Sequence, residues 1–83
     1  MTREDMHKVL DAAVDANENN EKYEIAATFD LSFTGEMKVT ITIWDRKRLA
    51  EKAEGSLICN DTFYADQADH AIDLIRKFGG DKQ

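Results

Sequence analysis

Apolar and polar residues alternate along the chain from residue 23 to residue 44. The odd positions are apolar on both sides of a Thr34-Gly35 turn, and the even positions are mostly polar. A period of two is typical of strands that have one dry face and one wet face. The pattern therefore predicts a β-hairpin whose dry face carries Tyr23, Ile25, Ala27, Phe29, Leu31, Phe33, Met37, Val39, Ile41 and Ile43.

The parity of this alternation also predicts the register of the hairpin. Residues that lie directly opposite each other share a face, so odd positions must pair with odd positions. A three-residue loop, Phe33-Thr34-Gly35, meets this condition and places Gly35 where a G1 bulge needs positive φ. The predicted pairs are Leu31 with Met37, Phe29 with Val39, Ala27 with Ile41, Ile25 with Ile43, Asp30 with Lys38 and Thr28 with Thr40.

Helical periodicity is present on both sides of the hairpin. Thr2 and Asp5 have the spacing of a capping box, and a helix ending near Ala16 or Asn17 is expected to bury Met6, Val9, Leu10 and Ala13. Asp66 is the expected cap of a last helix that buries Ala68, Ala71, Ile72, Ile75 and Phe78 and is stopped by Gly79 at its C′ position.

The segment between the hairpin and the last helix is less regular. Residues 56–60 predict a third strand that completes an antiparallel meander. Residues 45–55 fit either a short helix capped by Asp45 or a connecting loop, and a loop with some helical turn is favoured because so short a helix is marginal in water. The predicted fold is a single α+β domain, residues 1–83, with the order α-β-β-β-α. A three-stranded antiparallel sheet carries two helices on one face, and residues 79–83 form a frayed tail.

The composition restricts the kinds of function that we expect. The net charge is −6, from 17 acidic and 11 basic residues, which disfavours direct binding to nucleic acid. A chain of 83 residues has a thin core and little room for a deep enzyme pocket. Cys59, His7 and His70 show no catalytic or metal-binding spacing. We therefore expect a non-enzymatic protein with no catalytic residues, no cofactor and no metal.

The chain shows no sign of a membrane or a secretory segment. No apolar run approaches the length of a membrane span, and the N-terminal residues do not form a signal peptide. The single cysteine favours a reducing compartment. The expected location is the cytoplasm.

Two acidic stripes are the main candidates for partner binding. Asp11, Asp15 and Glu18 fall on one face of the first helix, and Asp66, Asp69 and Asp73 fall on one face of the last. Each stripe is either a solvated face that keeps a small protein soluble or a surface that engages a basic or nucleic-acid-binding protein. One helix face cannot surround a hard cation, so metal binding by these aspartates is not expected.

Two aromatic residues and one basic run are further candidates. Trp44 continues the wet face of the sheet and Phe33 lies at the hairpin tip, where each is either structural or an anchor in an interface. Arg46-Lys47-Arg48 is either a solvated connector or a contact to phosphates. The alternative function is therefore nucleic-acid binding or self-association through this loop and the Thr/Trp sheet face. Both a monomer and a homodimer remain open.

The α-β-β-β-α layout resembles the double-stranded-RNA-binding domain over most of the chain. That family contacts phosphates with basic residues at the start of its second helix, where this chain has Asp66-Gln67-Ala68-Asp69-His70-Ala71. The resemblance implies the fold and not RNA binding. In size, acidity and absence of a catalytic motif, the chain is similar to phage-encoded inhibitors of the anti-CRISPR type. That resemblance implies a nucleic-acid mimic that blocks a nucleic-acid-binding host protein, and it assigns no residue roles.

Overall fold

The two long helices and the three strands follow the predicted order, and a short helix lies in the segment where a loop was favoured. The computed structural model describes residues 1–31, 37–64 and 66–80. The elements are α1 (Arg3–Asn19), β1 (Tyr23–Leu31), β2 (Met37–Asp45), α2 (Arg46–Ala50), β3 (Leu57–Phe63) and α3 (Ala68–Gly79). The described strands form an antiparallel sheet in the order β1-β2-β3, against which α1 and α3 pack. The predicted α+β fold is confirmed.

The register of the hairpin is the one that parity predicts. Leu31 lies opposite Met37, Asp30 opposite Lys38, and the remaining predicted pairs continue to Ile25 and Ile43. The pairing extends to Tyr23 and Asp45 without a shift. The Phe33-Thr34-Gly35 loop, including the candidate Phe33, lies outside the described residues.

The core lies between the odd-numbered face of the sheet and the two long helices. Its buried residues are Val9, Ala13, Ala16, Ile25, Val39, Ile41, Ile43, Ala68, Ala71, Ile72 and Ile75. At one end, the Tyr23 ring meets the Phe78 ring edge-on, with 5.2 Å between the centroids. Leu10 was expected in the core but is 48% exposed. Because it is one residue beyond Val9, it points about 100° away from the buried stripe.

Helix α1 begins as predicted but ends later. The Thr2 hydroxyl accepts a hydrogen bond from the Asp5 N–H, and the Asp5 carboxylate accepts one from the Thr2 N–H, both at 3.1 Å. The helix continues past Ala16 to Asn19. The Asn19 amide donates to the Asp15 carbonyl at 2.7 Å, and the Asn20 amide donates to the Ala16 carbonyl at 2.6 Å. The Asn20 side chain thus satisfies one of the carbonyls that the helix end leaves without a partner, and both asparagines support the last turn instead of breaking it.

Both predicted ends of α3 are shifted. Asp66 is not the cap, because Gln67 precedes the first helical residue. Gln67 exchanges two hydrogen bonds with the Tyr64 backbone, at 2.8 and 2.9 Å, and these bonds define where the chain enters the helix. Gly79, expected to stop the helix, is its last residue and is buried. Gly80 ends the helix with a φ of +79°.

The segment after the hairpin forms more regular structure than expected. Asp45 caps α2, and its carboxylate accepts from the Arg48 N–H at 3.1 Å. Strand β3 runs to Phe63, whereas the predicted strand ended at Asn60. Asn60 and Asp61 have weak strand propensity, but the pairing of β3 with β2 as far as Val39 keeps this part of the chain extended.

Candidate functional site

A groove between α1 and α3 brings together residues from both acidic stripes. Its volume is about 510 Å³. Asp11 and Asp15 line it from α1, and Asp69 and Asp73 line it from α3. We call this feature the acidic groove. The two pairs of aspartates are more than fifty positions apart in the sequence, so their convergence results from the packing of the helices.

Local helical geometry places each pair on the groove. The members of a pair are four residues apart, which sets them on one helix face about 6 Å apart along the axis. The two helices approach closely because small side chains lie between them. Ala16 packs directly against Gly79, where a Cβ would lie 2.9 Å from the Ala16 Cα.

The electrostatics of the groove favour a cation. The described residues that line the groove include four carboxylates and two basic side chains, Lys8 and Arg76. Lys8 lies 3.8 Å from a carboxylate oxygen of Glu4, but both side chains are well exposed, so this ion pair is weak. Four carboxylates against two basic side chains leave the lining with an excess of negative charge even when Lys8 contributes its full charge.

The other members of the predicted stripes lie apart from the groove. Glu18 and Asp66 are exposed, and neither lines it. Asp66 precedes α3, so it does not share a helix face with Asp69 and Asp73. The packing of the helices therefore selects the four groove aspartates from the six residues that the sequence proposed.

The residues with possible chemical reactivity lie in unremarkable surroundings. In the part of the chain that the structure describes, no cluster of His, Cys, Asp and Glu could hold a metal ion. His7 and His70 are exposed on the helices. Burial raises the pKa of the Cys59 thiol, and the adjacent Asp61 raises it further. The Cys59 Sγ donates to the Asp61 carboxylate at 3.3 Å, so this cysteine is a poor nucleophile near neutral pH.

Polar side chains on the outer face of the sheet form hydrogen bonds with one another. The Thr40 and Thr62 hydroxyls lie 3.0 Å apart, and the Thr42 hydroxyl donates to the Asn60 side chain at 3.2 Å. Trp44 is half-buried on this face. It lies opposite Leu57, so the outer face is apolar at that end.

A structural cluster that the sequence analysis missed is centred on Arg46. Its guanidinium donates to the Tyr23 carbonyl at 2.9 Å and to the Asn17 carbonyl at 3.2 Å. The Asn17 side chain in turn bonds both backbone groups of Ile25, at 2.7 and 2.9 Å. Arg46 thus joins the end of α1 to the start of β1. Lys47 and Arg48, the rest of the basic run, are exposed.

Comparison with models of protein families, with curated proteins and with solved structures finds no match to this chain. None of the described helices is both long enough and apolar enough to cross a membrane.

Proposed function

We propose that this protein is a small, non-enzymatic binding module whose acidic groove engages a basic surface on a partner protein. One observation carries the proposal: two helices that are distant in the sequence direct Asp11, Asp15, Asp69 and Asp73 at the same groove. Complementary charge speeds association and selects among partners. The floor of the groove includes Ala16 and Ile72, which supply apolar contact below the carboxylates.

The partner that best fits this chemistry is a nucleic-acid-binding protein of the host cytoplasm, and the expected effect is inhibition. Lysine and arginine side chains that bind phosphates also bind carboxylates. A protein that presents several aspartates to such a surface therefore competes with DNA or RNA for it. This activity is the one implied by the resemblance to phage-encoded inhibitors of the anti-CRISPR type.

Charge reversal in the groove tests the proposal. The double variant Asp69→Lys with Asp73→Lys would be compared with wild type as bait in a pull-down from the host. The affinity of each bait for the purified partner would then be measured. We expect a loss of at least about tenfold for the groove variant, since an interface residue that matters costs more than about 1 kcal/mol.

A matched control separates a local effect from one of net charge. Glu51→Lys with Glu54→Lys makes the same charge change on exposed residues outside the groove lining. The control should retain its affinity, and wild type should displace nucleic acid from the partner. Equal affinity for groove and control variants would exclude the groove. Binding without displacement of nucleic acid would exclude inhibition by mimicry.

The alternative, nucleic-acid binding through Arg46-Lys47-Arg48, has less support. The Arg46 guanidinium is already engaged by backbone carbonyls of Tyr23 and Asn17. Contact with a phosphate would compete with these bonds. The two exposed cations that remain are few for a protein with a net charge of −6.

A further inference from the structure

The described sheet has two edge strands, β1 and β3. At the start of β1, side chains of the same protein occupy the backbone groups that an added strand would pair with. The Tyr23 N–H donates to the Asn20 side chain at 2.6 Å, and the Tyr23 carbonyl accepts from Arg46. The Asn17 side chain occupies both backbone groups of Ile25. Side chains thus take the positions that an added strand would need.

The same bonds show which backbone groups face outward on β3. In an antiparallel pair, the backbone groups of successive residues point alternately to the two sides of a strand. The backbone N–H and C=O groups of Tyr23 and Ile25 point away from β2, so the even-numbered residues of β1 are the ones whose backbone groups bond to β2. The backbone groups of the even-numbered residues of β2 then point to β1, and those of its odd-numbered residues point to β3. The hydrogen bond from the Asp45 N–H to the Ser56 carbonyl, at 2.7 Å, agrees with this assignment.

The second edge, that of β3, is open. Asp61 and Phe63 lie opposite odd-numbered residues of β2 and bond inward. Asn60 and Thr62 therefore direct their backbone groups outward. Among the described residues, no hydrogen bond to these outward groups is present beyond the sheet. The apolar side chains at the start of the strand are uncovered as well, with Leu57 52% and Ile58 43% exposed.

Charge indicates what kind of strand this edge would accept. Asp61 is exposed on the helix side of the sheet, where α3 does not cover it. Residues 53–75 carry five acidic residues and no lysine or arginine. Lys77 of α3 is near enough to influence Cys59 but forms no ion pair with Asp61 in the described part of the chain.

Asp61 lies between the outward-bonding positions 60 and 62. This is a non-hydrogen-bonded site for an added antiparallel strand, where facing Cα atoms are only about 4.5 Å apart. A basic side chain opposite Asp61 is favourable there. In a second copy of β3 that pairs about the middle of the strand, the two Asp61 carboxylates become direct or diagonal neighbours, which is unfavourable.

We propose that β3 accepts a fourth, antiparallel strand from a partner protein, and that this strand places a lysine or arginine opposite Asp61. Main-chain hydrogen bonds to Asn60 and Thr62 supply affinity, and the charge pair supplies specificity. This surface lies outside the lining of the acidic groove, so the inference does not depend on the proposed function.

A model peptide as long as β3 tests the inference on the intact protein. The probe has the sequence Thr-Val-Thr-Lys-Thr-Val-Thr. In antiparallel pairing its lysine lies opposite Asp61, and its two valines lie opposite Cys59 and Phe63. A matched peptide has glutamate in place of lysine. A third peptide carries N-methyl groups on the backbone nitrogens that would hydrogen-bond to β3. We expect the lysine peptide to slow amide exchange at Asn60 and Thr62, as measured by NMR, and the N-methylated peptide to have no effect.

Charge variants complete the experiment. Asp61→Lys should weaken binding of the lysine peptide by about fivefold and favour the glutamate peptide, because an attractive cross-strand pair becomes a repulsive one. Asp66→Lys makes the same charge change off the strand and should leave the preference unaltered, as should the groove variant of Asp69 and Asp73.

Three results would overturn the inference. The first is unchanged exchange at Asn60 and Thr62 in millimolar lysine peptide. The second is protection of these amides without peptide, together with a dimer in sedimentation, which would identify a second copy as the occupant. The third is peptide binding that is lost in the groove variant but retained in Asp61→Lys, which would place the peptide in the acidic groove.

Discussion

Gly79→Ala inserts a methyl group where α3 packs on α1. A Cβ at this position would lie 2.9 Å from the Ala16 Cα and 3.2 Å from the Ile25 Cδ1, and it would also overlap the Ala16 methyl group. Ala16 and Ile25 are both buried. Neither the Ala16 backbone nor its methyl group can rotate away, so the two helices must separate.

The expected cost follows from two opposing effects. Overpacking a well-filled interior costs about 1–3 kcal/mol. Alanine has a higher helix propensity than glycine, which offsets up to about 1 kcal/mol of that cost. The offset is smaller at residue 79, because this is the last residue of α3. We therefore expect the free energy of unfolding to fall by roughly 1–2 kcal/mol.

A double-mutant cycle in chemical denaturation isolates the contact. Ala16→Gly removes the methyl group that the new Cβ would meet, and by itself it costs about 1 kcal/mol of helix propensity. The double variant should be more stable than the sum of the single effects by about 1 kcal/mol or more. Gly80→Ala is the control: its Cβ would have no neighbour within 4 Å, but its φ is +79°. It should destabilise through backbone strain and show no coupling to Ala16→Gly.

Additive effects of Gly79→Ala and Ala16→Gly would refute the reasoning, because they would mean that the helices do not meet at these residues. The same cycle bears on the acidic groove. Separation of α1 from α3 changes the distance between the aspartate pairs, so Gly79→Ala should also weaken a partner that contacts both helices.

Two further predictions concern other contacts. Asn17→Ala removes two hydrogen bonds to the β1 backbone; we expect denaturation to show a loss of about 2 kcal/mol, and a loss below about 0.5 kcal/mol would contradict the role assigned to Asn17. Hydrogen bonding of the Asp5 carboxylate to Thr2 lowers the pKa of Asp5 below its ordinary value of 3.8. The stabilisation is therefore present above that value and is lost as the pH falls through the lower folded-state pKa. The stability difference between wild type and Asp5→Ala should shrink below about pH 4, and a pH-independent difference would contradict this account.

The hairpin register could be read from the sequence because alternation leaves little choice. A slip of one residue would turn every apolar side chain of one strand to the opposite face. The pairing of Asp30 with Lys38 follows from the same parity and is present in the structure. The first cap was equally accessible, because Thr2 and Asp5 interact within a single turn.

Element ends were harder to predict because they depend on partners that are distant in the chain. Asn17 was expected to lie at the end of α1, yet it lies inside the helix and bonds Ile25 of β1. Gly79 was expected to lie just beyond α3, yet it is the last helical residue and packs on Ala16. Local propensity does not contain these contacts, so it placed the ends incorrectly.

The sequence by itself determined the order of the two long helices and the three strands, the register of β1 and β2, and the pair of aspartates that shares a face on each long helix, because these depend on local periodicity. Only the tertiary structure decided that Asp11 and Asp15 face Asp69 and Asp73 across one groove, while Glu18 and Asp66 remain apart. It also decided that Arg46 supports the fold and that β3, not the start of β1, offers an open edge. The physical reason is that helix packing and edge contacts depend on the direction in which distant segments meet, which periodicity along the chain does not encode.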